Sequence, residues 1–88
     1  MQKNQFTIVN RLGLHARAAA QLVQTANRFR CDVNVAKDGE EVNGKSIMGI
    51  LMLAAPKGSQ IYVTTSGEDE EPALEAIGKL INDGFGED

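Results

Sequence analysis

Cys31-Asp32-Val33-Asn34-Val35-Ala36-Lys37-Asp38-Gly39-Glu40-Glu41-Val42 reads as two short strands folded back on each other. Val33 and Val35 alternate with more polar neighbours, the period of a half-buried strand, and Asp38-Gly39 is a dipeptide suited to a tight hairpin turn. Upstream, residues 3–9 alternate with Phe6 and Ile8 on one side. Residues 16–29 then carry Ala19, Leu22, Val23, Ala26 and Phe29 at the spacings of one apolar helical stripe. Downstream, Ser46 is a good N-cap for a short helix that is apolar all round and stops before Pro56-Lys57-Gly58. Residues 60–65 set Ile61 and Val63 against Tyr62 and Thr64, a fourth strand. A last helix opens at Asp69 as N-cap, with Glu70 and Glu71 at its positive end and Pro72 in its first turn. Leu74, Ile77, Leu80 and Ile81 form its stripe before Gly84 ends it. The order strand, helix, strand, strand, helix, strand, helix predicts an α+β open-faced sandwich: a four-stranded antiparallel sheet with three helices on one face.

Composition bounds the function. Eighty-eight residues, 42% hydrophobic and 24% charged, suit one globular domain over residues 1–88 with a modest core. Cys31 and His15 are each the sole residue of their type, so neither an internal disulfide nor a Cys/His metal cluster is expected. A reducing cytoplasm fits, and neither an export leader nor an apolar run of membrane-spanning length is evident. The net charge of −3 is unevenly spread: the first 31 residues contain no acid, while residues 68–88 hold eight acids against Lys79. Lys3, Arg11, Arg17, Arg28 and Arg30 therefore bias the region of His15 toward an acidic or phosphorylated partner. Nucleic acid is not the expected partner, because the chain is acidic overall and its four aromatics form no stacking motif with basic residues. The late acidic cluster reads as helix capping and solvated surface, not a metal site.

His15 lies where the first strand has ended and the alanine-rich helix begins, in Asn10-Arg11-Leu12-Gly13-Leu14-His15-Ala16-Arg17. Leu12, Gly13 and Leu14 offer no side-chain oxygen to the first helical amides, so the N–H groups of Ala16, Arg17 and Ala18 stay open for an anion. Arg17 adds a full positive charge within one turn. The helix dipole disfavours imidazolium and so favours a neutral, nucleophilic ring, while a phosphoryl group on it would be held by amides and guanidinium. Gly13 permits a backbone conformation or close approach that a bulkier residue would resist, and the flanking leucines are expected to pin the loop to the core.

Gly13-Leu14-His15-Ala16-Arg17, followed some thirty residues later by Val42-Asn43-Gly44-Lys45-Ser46-Ile47-Met48-Gly49, resembles HPr, the histidine-containing phosphocarrier family of the bacterial phosphotransferase system. The resemblance implies that His15 accepts a phosphoryl group on Nδ1 from enzyme I, itself charged by phosphoenolpyruvate, and passes it to an enzyme IIA domain. Arg17 is then the anion-stabilising residue, and no cofactor is needed. It further implies a docking patch made of the start of the first helix, including Ala20, together with Ile47, Met48, Leu51 and Met52. Methionines suit a surface that meets several differently shaped partners. Ser46 matches the serine that an HPr kinase/phosphatase modifies in many bacteria; the alternative is a serine that only caps its helix. A monomer acting as a covalent relay, not an independent catalyst, is expected. A regulatory or nitrogen-branch relative working as a phosphorylation-dependent binding module is the competing reading. A free-standing hydrolase would want further acid and base groups that the chain lacks. One departure stands out: the family usually has proline where this chain has Ala18, a good helix former that leaves the helix intact but alters rigidity at the site.

Overall fold

The alternation of apolar and polar residues becomes one sheet with one dry face. The computed structural model describes residues 1–87, with strands β1 (Gln2–Thr7), β2 (Asp32–Lys37), β3 (Glu40–Asn43) and β4 (Gln60–Ser66). All pairings are antiparallel, in the order β1-β4-β2-β3, so β4 lies between β1 and the hairpin. The register sets Phe6 opposite Ile61 and Val35 opposite Val63, which puts buried side chains side by side on the inner face. Tyr62 and Gln5 face outward with the other polar residues of the pattern. At the hairpin, Asp38 (φ 52) and Gly39 (φ 84) both take positive φ, as a two-residue turn matching strand twist requires.

Three helices cover the inner face: α1 (Ala16–Ala26), α2 (Ile47–Leu53) and α3 (Glu70–Asn82). The first helix is shorter than its apolar stripe suggests. It ends at Ala26, and Phe29 packs against the core from the following turn. In α3 the buried face is Ala73, Ile77, Gly78 and Ile81, with Leu74 and Leu80 only partly buried. Gly78 is there because the Phe6 ring is: a Cβ at that position would lie 2.7 Å from two ring carbons. Removing a side chain lets helix and strand approach, a contact that hydrophobic spacing does not reveal.

Asp69 stands at the N-cap position of α3 but does not cap it. Its carboxylate instead accepts the N–H groups of Arg30 and Cys31, both at 2.9 Å, fastening the start of α3 to the entry of β2. Those bonds, Arg30 first, hold the Asp69 carboxyl below its ordinary range. Beyond α3 a short 3-10 turn over Gly84–Gly86 folds back, with Phe85 buried in the core at φ 58. Burying a Phe side chain is worth about 1.5–3 kcal/mol, which helps hold this unusual backbone in place.

Candidate functional site

The strand-to-helix loop that carries His15 is tied to the loop leaving α2. Ile8 N–H donates to Ser59 O at 2.9 Å, Gly58 N–H to Ile8 O at 2.7 Å, and Leu14 N–H to Ala55 O at 2.9 Å. Gly13 sits at φ +68, and a Cβ on it would fall 2.4 Å from the Ala55 carbonyl oxygen and 2.8 Å from Pro56 Cα. Both reasons for a glycine thus apply together. Leu14 is buried, whereas Leu12 is 63% exposed, so only one of the two leucines anchors the loop.

His15 is the N-cap residue of α1, with extended backbone (φ −75, ψ −180); its carbonyl accepts the Ala19 N–H at 2.8 Å. No side chain caps the helix, and its first turn has no acid, so the amides of Ala16, Arg17 and Ala18 form the uncapped turn that the sequence predicts. Ala16 and Arg17 are exposed, while the Ala18 side chain is buried. Arg17 makes no ion pair within 4.0 Å among the described residues. An anion arriving here meets peptide dipoles and an unengaged guanidinium.

The acid beside the ring is the element that sequence reasoning missed. His15 Nε2 lies 2.6 Å from Glu87 Oε2, across 72 positions of chain. The other carboxylate oxygen accepts from Asn10 Nδ2 at 3.0 Å, and that same amide donates to Gly13 O at 2.8 Å. Asn10 is fully buried, and its backbone carbonyl accepts the Gly13 N–H, so it organises the loop from both ends. The Asn10 hydrogen bond, followed by the bond and charge of His15 and the charge of Arg17, holds the Glu87 carboxyl below its ordinary range. The ring is part-buried, and the Nδ1 nitrogen has no protein partner among the described residues. Arg11, Leu12, His15, Ala16, Arg17, Gly86 and Glu87 line an open cavity of about 670 Å³. The one clue in the sequence was the polar Asn10 inside the quoted run; nothing local pointed to Glu87.

The second predicted segment packs beside the first, α1 against α2. Ser46 caps α2, its Oγ accepting the Gly49 N–H at 3.1 Å. Ile50 and Leu53 are buried; Ile47, Met48 and Met52 are exposed, while Leu51 and Ala20 are half-buried. A helix with no polar face therefore presents an apolar, methionine-rich surface to solvent. Lys45 does not face that solvent freely: its Nζ donates to the Phe29 carbonyl at 2.8 Å, beyond the end of α1. Among the described residues no group of His, Cys, Asp and Glu could hold a metal ion, and no helix is long and apolar enough to cross a membrane.

Comparison with known proteins agrees with this geometry. The family model described as "PTS HPr component phosphorylation site" matches residues 2–83. The phosphocarrier protein HPr of Neisseria meningitidis serogroup A is 52% identical over 87 residues, covering 99% of this chain and 98% of the relative. HPr-C-His from Thermoanaerobacter tengcongensis superposes with a TM-score of 0.97 at 44% identity, covering 100% of this chain and 99% of that one. An HPr dimer from the same organism superposes with a TM-score of 0.80 at 45% identity, over 99% and 100% of the two chains. Motif, strand order and match over nearly the full length lead to one conclusion: the chain belongs to the HPr family of phosphocarriers of the phosphotransferase system.

Proposed function

We propose that His15 is the phosphoacceptor of a relay that runs from enzyme I, charged by phosphoenolpyruvate, to enzyme IIA domains. The observation that carries this reading is the ring itself: at an uncapped helix start, with Nε2 engaged and Nδ1 unpartnered among the described residues. The Nδ1 lone pair attacks phosphorus, the bond from phosphorus to the donor atom of enzyme I breaks, and its electron pair returns to the donor. The phosphoryl oxygens then meet the amides of Ala16, Arg17 and Ala18 and the Arg17 guanidinium. Onward transfer reverses these roles. In this reading the ring hands the phosphoryl group to the next protein, so the protein works as a carrier and not as an independent catalyst.

Ala20, Ile47, Met48, Leu51 and Met52 form the docking surface in this reading. A phosphate placed on Ser46 by an HPr kinase/phosphatase would sit at the start of α2, adding roughly two negative charges to that surface. It would favour the helix and repel an acidic partner. The protein acts as a cytoplasmic monomer, a single HPr-like unit over residues 1–88, with no nucleic acid among its partners. Size-exclusion chromatography with light scattering tests the monomer, since an HPr relative forms a dimer.

Incubation with enzyme I and labelled phosphoenolpyruvate, beside His15→Ala, tests the relay. Acid-labile, alkali-stable label on the wild type alone is the expected result. Label on the variant, or none on the wild type, overturns it.

A further inference from the structure

We propose that Glu87, held by Asn10, is a positioning residue that keeps the imidazole proton on Nε2 of His15 through both directions of phosphoryl transfer. The inference rests on the phosphocarrier reading, and Glu87 lies beyond residues 2–83, the span matched by the family model. Its geometry is specific. One carboxylate oxygen faces Nε2 at 2.6 Å, and the other is fixed by the buried Asn10 amide at 3.0 Å, so the group is aimed and not merely nearby. The buried Phe85, two residues earlier, fixes the segment that delivers it.

A proton on Nε2 matters twice. In the resting ring it leaves the lone pair on Nδ1, the nitrogen that must attack. In the phosphorylated ring the same proton makes the cation, with Nε2–H donating to a carboxylate. When phosphorus departs, the bonding pair returns to Nδ1 and a neutral imidazole leaves. Without that proton the leaving group would be an imidazolate, a far poorer one. Glu87 thus favours the form from which phosphate is released, and no proton enters or leaves the ring in either step. Among the described residues lining the site, the charged groups beside the ring are Glu87 from the tail, Arg17 from α1 and Arg11 from the loop; the two guanidiniums oppose the cation, and Glu87 favours it.

Two measurements on wild type, Glu87→Ala and Glu87→Gln test this. The first is a heteronuclear NMR spectrum of the unphosphorylated proteins. A downfield, exchange-slowed Nε2–H resonance is expected in the wild type and is expected to vanish in Glu87→Ala. The second is the pH profile of phosphate loss after chemical phosphorylation with phosphoramidate. Its acid limb should move to lower pH in both variants, with loss at neutral pH slowed roughly tenfold. Glutamine keeps a hydrogen-bonding group but not the charge, so a wild-type profile in Glu87→Gln would overturn the electrostatic role. An unchanged resonance in Glu87→Ala would overturn the positioning itself. Failure of the wild type to take phosphate on His15 would sink the relay, whereas the resonance, read without phosphate, still decides whether Glu87 holds the ring. Cooperative melting and an unchanged circular dichroism spectrum in the three proteins exclude a general loss of structure, a modest fall in melting temperature being expected where the tethered carboxylate is removed.

Discussion

The Leu14 N–H donates to the Ala55 carbonyl at 2.9 Å, so the loop carrying His15 is fastened to the loop that leaves α2. The two predicted segments therefore share a support and not just a surface. Gly13 lies inside that seam, where any side chain meets backbone.

Gly13→Ala is expected to destabilise the protein by about 1–3 kcal/mol from its positive φ alone. The 2.4 Å clash with Ala55 O adds to this because carbonyl and Cβ cannot both stay. Thermal unfolding checks it; a melting temperature within a degree of wild type would contradict the seam.

Asn10→Ala removes the donor to Gly13 O and to Glu87 in one step. A loss of about 1–3 kcal/mol is expected, the usual cost of stranding buried hydrogen-bonding groups. Denaturant melts measure it, and an unchanged midpoint would show that the loop does not depend on this amide.

Ser46→Ala should weaken α2 by about 1 kcal/mol, because the Gly49 N–H loses its side-chain acceptor. Ser46→Asp keeps an acceptor there and adds a charge, so helix stability should hold while phosphate acceptance from enzyme I slows. Stopped-flow transfer from phosphorylated enzyme I separates the two effects. An Asp variant that accepts phosphate as fast as wild type counts against an inhibitory phosphate.

Ala18→Pro should stabilise the protein by about 0.4–1 kcal/mol through the unfolded chain, since the residue lies in the first helical turn and its amide has no intrahelical partner. The same change removes one of the three amides proposed to hold phosphate. A modest rise in melting temperature with an altered transfer rate is the expected pair of results; a fall in melting temperature would show that the buried Ala18 pocket rejects the ring.

Acid should weaken the fold through its tethered carboxylates. Asp69, held by the Arg30 and Cys31 amides, and Glu87, held chiefly by Asn10, are both depressed from ordinary values of 3.8 and 4.5. Each binds its proton less tightly when folded than when unfolded, so the unfolded chain takes up more protons in acid. Their stabilisation is complete above the ordinary values and is lost as pH falls through them toward the lower folded values. Asp69→Asn should therefore be less stable near neutrality and show a flatter decline in acid. Melting curves for the two proteins that fall in parallel would remove Asp69 from this account.

Near-neighbour physics decided much of this protein. Alternation around Val33 and Val35, the Asp38-Gly39 turn, the Ser46 cap and the uncapped start at His15 all depend on residues a few positions apart, and each is legible in the chain as read. The short apolar helix divided into a buried pair, Ile50 and Leu53, and an exposed set for the same reason: helical spacing separates faces. Other features needed the fold. The insertion of β4 between β1 and β2, the Phe6 ring over Gly78, Asp69 turning from its own helix to Cys31, and Glu87 against His15 join residues dozens of positions apart. No local pattern encodes such pairs, because a carboxylate or a glycine has the same propensity whatever lies across the sheet. Packing alone chose its partner.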